Sequence, residues 1–367
     1  MDFAFDDEQE ELRRTVRGFL RDHSPEPEVR RLMATEDGHD PRTWARLAGE
    51  LGLTGLAVPE EYGGAGGGAL ETGVVLEEMG RALYCGPYLA TGVLAVQAIL
   101  AAGDPGAARE LLPGIAAGVT LATVALPADG TDDTGAVTVH HSGGRWLLEG
   151  TRETVLDGRL ADLLLIPAHG ADGLGLYAVS GEAERLVRTA ADPLDPTRKL
   201  ARLDFAGTPA HPVGGPDAGG RALARVLDHA AVALAAEAVG GAQFLLDTAV
   251  EHARARIQFG RPIAAFQAVK HACADMYVEV ESARSAAYYA LWAAAGDSPE
   301  LPAAAALAKA ACSDAYAQVA AEAIQVLGGI GVTWEHPAHL YFRRAKATQL
   351  LFGDPDRHRD RLVELIG

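Results

Sequence analysis

Two segments of this sequence hold residue types that suit a phosphate-bearing ligand. The first is Arg256-Ile257-Gln258-Phe259-Gly260-Arg261-Pro262-Ile263, followed by Phe266-Gln267. The second is Ile324-Gln325-Val326-Leu327-Gly328-Gly329-Ile330-Gly331. An arginine presents a planar fork of donors that matches phosphate oxygens. Paired glycines let the backbone approach a ligand with no Cβ between them. Either segment alone reads equally well as a helix end, with a terminating arginine or a glycine cap. Together they suit a pyrophosphate. The overall charge, 32 basic against 50 acidic residues and a net −18, argues against a nucleic-acid partner, which draws on clustered Lys and Arg. It leaves room for a small anionic cofactor held by a few local arginines.

The elements that must position these segments are legible from apolar periodicity. Residues 1–118 read as a helical domain: Leu12, Val16, Phe19 and Leu20 share a helical face behind Glu8, Glu10 and Glu11, which favour a helix N-terminus. Further helices are expected over 42–51 and from Leu70 toward Met79. From Val119 the texture changes to short apolar runs at 120–126, 136–140, 145–148, 161–166, 174–179 and 200–205, which predict a compact β-barrel or sandwich over 119–213. The Gly- and Pro-rich stretch 207–220 reads as a linker. Helices return at 221–256, 266–295, 303–327 and 338–351, a bundle within 214–367 broken at Gly260-Arg261-Pro262, Gly296 to Pro299 and Gly328-Gly329.

With 367 residues, 49% of them hydrophobic, the chain has material for two or three cored domains. The acidic start, Asp2 to Glu8, lacks the features of a secretory signal. The apolar run 230–236 is too short for a membrane span. Cys85, Cys273 and Cys312 are odd in number and have no metal spacing. A reduced cytoplasmic protein with no metal is expected.

The pair Arg-x-Gln-Phe-Gly-x-Pro and Gln-x-x-Gly-Gly-x-Gly resembles the acyl-CoA dehydrogenase family. So do Leu51-Gly52-Leu53-Thr54-Gly55-Leu56-Ala57-Val58-Pro59-Glu60-Glu61-Tyr62-Gly63-Gly64, Trp334-Glu335-His336 and Tyr341-Phe342-Arg343-Arg344-Ala345-Lys346. The resemblance spans essentially the whole chain. It implies an α+β fold: an N-terminal helical domain, a middle β-barrel and a C-terminal four-helix bundle. It also implies FAD bound at a subunit interface, with Arg256, Gln258, Phe259, Gln325, Gly328 and Gly329 reaching the ADP half of a neighbour's cofactor. An acyl-CoA thioester substrate and an electron-transfer acceptor follow from the same likeness. Gly64-x-Gly66-x-x-Ala69 falls inside the first-domain signature and reads as a helix–helix connection rather than a phosphate loop.

Several family positions are changed. Removing the α-proton of a thioester needs a desolvated carboxylate, which the family takes from a C-terminal Tyr-Glu-Gly-Thr segment. Here Phe352 stands at the Glu position. The alternative site early in the first bundle helix falls on Ala230. Glu237 and Asp354 are the remaining weak candidates for a base. Asp228 matches a substrate-contacting Asp of some relatives, but Ala231 replaces its companion Arg. Around the flavin ring, Leu126 to Asp132 departs from the family's Thr-Glu-Pro and Gly-Ser-Asp segment. Thr154 replaces a ring-packing Trp. Leu156 replaces a Thr that would bond flavin N5 and cannot donate that bond.

The pattern fits a helper subunit that lends ADP-binding groups to FAD whose ring and base belong to a paired catalytic subunit. Bacterial relatives acting on bulky acyl-CoAs, steroid side chains among them, are built this way. Three readings stand beside it: a homo-oligomeric dehydrogenase with a relocated base, a flavin oxygenase of the same fold, and a non-catalytic scaffold.

Overall fold

The computed structural model describes residues 5–127, 129–130, 136–216 and 218–367. Ala128, Thr131 and Asp132 of the changed flavin-ring segment lie outside them. The first helix, α1 (Asp7–His23), starts at a capping box: the Asp6 carboxylate accepts from Gln9 N at 2.8 Å, and Gln9 Oε1 accepts from Asp6 N at 3.1 Å. Then follow α2 (Glu26–Met33), α3 (Pro41–Gly49), α4 (Ala69–Arg81), α5 (Val96–Ala102), entered through a π-helical segment at Leu89–Ala95, and α6 (Pro105–Ala116). Arg13 and Arg17 of α1 clamp α4, at 2.8 Å from Glu77 and 2.7 Å from Glu78. Of these helices, α2, α5 and α6 are missing from the sequence expectations, being short or Ala-rich with weak periodicity.

The middle of the chain is a closed sheet. Its strands are β1 (Ala122–Val124), β2 (Val137–Ser142), β3 (Arg145–Leu156), β4 (Leu163–Gly170), β5 (Gly173–Ser180), β6 (Leu186–Ala190) and β7 (Leu200–Val213). The order β4-β2-β3-β7-β5 returns to β4 through a β4–β5 pairing, so the sheet closes into a barrel. β1 adds to β4 in parallel, Ala122 opposite Leu163, and β6 adds to β7. Val137, Val139, Leu148, Leu164, Ile166 and Leu203 fill its interior.

The linker expected over 207–220 is corrected here: β7 continues to Val213. Pro209 lies opposite Leu147 and Pro212 opposite Tyr177, while Gly207 (φ +79°) makes the bulge that skips one register position. Gly207, Pro209 and Pro212 are a bulge and strand-edge residues, Gly214 to Pro216 form the turn after β7, and Gly219 and Gly220 belong to the first turn of the next helix.

The C-terminal region is built on α7 (Ala218–Ala255), α8 (Gln267–Ala295) and α9 (Leu301–Leu327), with α10 (Ala338–Leu350) and α11 (Pro355–Ile366) packed against α9. α7 is apolar and long enough to cross a membrane, longer than the run at 230–236 suggested, but 89% of its apolar window is buried against its neighbours. A Cβ on Gly240 would lie 1.8 Å from Glu77 O, and one on Gly80 2.0 Å from Glu237 O. Glycines on both helices therefore let α4 and α7 cross backbone to backbone, which brings Glu237 to the centre of the molecule.

Candidate functional site

The two glycine- and arginine-bearing segments end α7 and α9. α7 turns into α8 through a short hairpin, β8 (Ile257–Gln258) and β9 (Arg261–Pro262), and α8 turns into α9 within five residues. Short connections make successive helices antiparallel, so α7 and α9 finish at the same end of the bundle. Arg256, Gln258, Phe259, Gln325, Gly328 and Gly329 are all solvent-exposed there. Phe259 is 91% exposed at the hairpin turn (φ +50°), 6.1 Å from the Phe266 ring, and the Arg261 guanidinium lies 4.3 Å over Phe266. Gly328 (φ +68°, ψ −146°) adopts a conformation open essentially to glycine alone. Among the described residues, nothing beyond the chain neighbours lies within 4 Å of a Cβ built on Gly328 or Gly329. With Ile257, Ile330, Val332 and Trp334 also exposed, this end presents cationic and apolar groups, the composition of an interface.

The space beside Leu156 is the opposite. Leu156 closes β3 and faces a cavity of about 30 Å³ lined by Tyr84, Tyr88, Asp157, Arg198, Glu237 and Arg344. That space holds one or two waters. What fills the region is a buried ion cluster. Arg344 Nε donates to Asp195 Oδ2 at 2.5 Å, its Nη2 to Thr197 Oγ1 at 2.6 Å, and its Nη1 to Glu237. Arg198 Nη2 donates to the other Glu237 oxygen at 2.5 Å. Burial works against the Arg344 charge, but Asp195 and Glu237 outweigh it and push its pKa up. Two arginines and two carboxylates balance each other, the arrangement that buried charge requires.

Asp157 follows Leu156 in a left-handed conformation (φ +52°) and lines the same cavity. Burial pushes its carboxyl up to about 7, against the opposing pull of Arg198, Arg344 and Lys199. Thr154, also left-handed (φ +53°), sits at a bulge between Arg152 and Val155.

No base emerges at the expected positions. Ala230 is fully buried and Phe352 is 4% exposed. The Phe352–Gly353 turn (φ +61° and +101°) is pinned: His358 Nε2 lies 3.1 Å from Phe352 O, and Lys309 Nζ donates to Gly353 O at 3.0 Å and Thr348 O at 2.8 Å. Glu237 has both oxygens committed to guanidiniums. Asp354 caps α11, accepting from Arg357 N at 2.8 Å. Asp228 lies 2.7 Å from Arg361 of α11, and burial raises its pKa. Sequence reasoning missed Asp195, Arg198 and Asp157. The available signal was Asp195-Pro196-Thr197-Arg198, a turn with paired opposite charges just before the long strand β7.

Residues 6–119 match the acyl-CoA dehydrogenase N-terminal domain, and residues 217–366 match the acyl-CoA dehydrogenase C-terminal domain. The acyl-CoA dehydrogenase IpdE2 of Mycobacterium tuberculosis is 38% identical over 95% of this chain and 94% of its own. FadE34 of the same organism is 38% identical over 98% of this chain, which matches 48% of FadE34. Among solved structures, a variant of the Tcur3481–Tcur3483 steroid ACAD superposes with a TM-score of 0.88 at 34% identity, covering 98% of this chain and 97% of that one. The ChsE4–ChsE5 complex from Mycobacterium tuberculosis gives 0.90 at 30% identity, covering 100% and 99%.

Proposed function

This chain belongs to the acyl-CoA dehydrogenase family, and we propose that within it the chain is a helper subunit, lending ADP-side groups to an FAD whose ring and catalytic base are supplied by a second, paired subunit acting on an acyl-CoA thioester. The observation that carries this reading is the contrast between the two ends of the site. Arg256, Gln258, Gln325, Gly328 and Gly329 stand exposed, while the space beside Leu156 is lined by the paired charges of Arg344, Glu237 and Arg198.

In this role Arg256 neutralises a phosphate, and the two glycines admit the pyrophosphate close to the backbone. FAD, when bound, supplies the hydride acceptor. On this reading the flavin ring and acyl group belong to the paired subunit, and the interior beside Leu156 is closed by a neutralised ion cluster. A homo-oligomer does not restore the missing groups, because every copy would carry the same Leu156, Phe352 and Ala230. A flavin oxygenase needs no α-proton base, but it too needs a ring contact that Leu156 cannot make. Two hetero-subunit assemblies among the similar structures, Tcur3481–Tcur3483 and ChsE4–ChsE5, support a paired arrangement, and the steroid ACAD similarity makes a bulky, steroid-derived acyl group the substrate to test first.

The test is purification of the chain alone and with a co-expressed complementary family member, each followed by a visible spectrum and an acyl-CoA oxidation assay. Flavin absorbance and turnover are expected only in the complex. A yellow, active preparation of the chain by itself would overturn the reading.

A further inference from the structure

A second cavity, of about 140 Å³, lies between the start of α4, the middle of α7 and the end of α8. Thr72, Gln97, Arg225, His229, Ala233 and Leu291 line it, and Leu76 lines both this cavity and the one beside Leu156. Arg225 and His229 are four residues apart on α7 and so share a helical face. His229 is 7% exposed, and its Nε2 has no hydrogen-bond partner. Leaving a buried polar atom unpaired is costly. A single water needs only about 10–15 Å³ of such space, so the cavity is far larger than a satisfying water requires. Cavities of about this size elsewhere accept a benzene-sized guest.

We propose that this cavity binds a small organic carboxylate with an apolar body, its ring or chain against Val232, Ala233 and Leu291 and its carboxylate held by Arg225 and His229 Nε2. The chemistry of the lining selects this class. Arg225 already gives one nitrogen to Asp297, at 2.6 Å, and a guanidinium has five N–H donors in all. Burial and the nearby Arg225 lower the His229 pKa to about 4, so the ring is neutral at neutral pH and can present one N–H. One shared cation and one neutral donor suit a monoanion. A phosphate dianion would ask for more charge than the site holds, and a pure hydrocarbon would leave His229 unpaired.

The test is ligand-observed NMR titration of the full chain with benzoate and, as its uncharged apolar counterpart, toluene. It needs neither FAD nor a paired subunit, so its outcome is independent of the helper-subunit test. Benzoate is expected to bind saturably and about 10- to 150-fold more tightly than toluene, the ratio for a hydrogen bond to a charged group. His229→Leu should reduce that preference to the share Arg225 supplies, while His229→Gln, which keeps an N–H, should retain more of it. Ala233→Leu, which fills the cavity with apolar volume, should abolish binding of both probes. Leu291→Phe fills it from another wall and serves if Ala233→Leu does not fold. Absence of saturable benzoate binding to the unaltered chain would overturn the proposal. So would equal affinity for the two probes, or benzoate binding that survives both filling substitutions.

Discussion

Arg344 and Glu237, 107 residues apart in sequence, form a buried ion pair beside Leu156. The pair is flanked by Asp195 on one side and Arg198 on the other, so it joins α7, α10 and the turn before β7. Its geometry makes Glu237 a structural residue. Glu237→Ala should destabilise the chain by about 3–5 kcal/mol, the usual cost of leaving a buried charge without its partner. Urea unfolding measures this. A variant of unchanged stability would show that the cluster contributes nothing to the fold and would reopen Glu237 as a base.

A pH dependence follows from Asp157. Its carboxyl titrates near 7 when folded and near its ordinary 3.8 when unfolded. Between those values the folded state holds a proton that the unfolded chain has lost. The stabilisation is therefore complete below 3.8 and disappears as pH rises through about 7. Asn tolerates the left-handed backbone at this position, so Asp157→Asn is a clean comparison. The unaltered chain should gain stability over the variant as pH falls from 8 to 5. His229 and His358, both lowered to about 4 by burial, run the opposite way but cancel in the difference. Urea midpoints for both proteins at the two pH values give the sign, and a difference that grows toward pH 8 contradicts the assignment.

The FAD half-sites can be separated by substitution. In complexes with the paired subunit, Arg256→Ala should weaken FAD binding roughly 10- to 150-fold, the loss of a charge-assisted contact. Gly329→Val should act similarly by obstructing the backbone, without altering charge. The conservative changes Thr154→Ser and Leu156→Met should leave flavin retention unchanged, because on this reading neither residue meets the ring. Flavin absorbance after gel filtration reads all four. Flavin lost from the second pair and kept by the first would reverse the assignment.

The isolated chain should not oxidise acyl-CoA thioesters even with FAD added. Phe352 and Ala230 remove the general base, typically worth about 10²–10⁴-fold, and Leu156 cannot donate a hydrogen bond to the ring. Stopped-flow reduction of added FAD by a panel of acyl-CoAs measures this. Turnover at ordinary dehydrogenase rates would point to a base not identified here.

Amino-acid order alone determined the helix–strand–helix succession, because the longer segments declare themselves by a local period: Leu12, Val16 and Leu20 on one helical face, Val137 and Val139 alternating on a strand. It also determined that two phosphate-suited segments end long helices, and that Phe352 and Ala230 stand where carboxylates are expected. Those are statements about residue type at a position. Tertiary structure decided what the surviving carboxylates do. Glu237, Asp354 and Asp228 look alike in the sequence, yet one balances two buried arginines, one caps a helix and one pairs with Arg361. It likewise decided that the stretch after Gly207 is a strand, since pairing with β3 and β5 outweighs the local preference of Gly and Pro. Contacts between residues more than a hundred positions apart, such as Arg344 with Glu237 and with Asp195, leave no periodic trace. They exist only once α7, α10 and the turn before β7 have packed together.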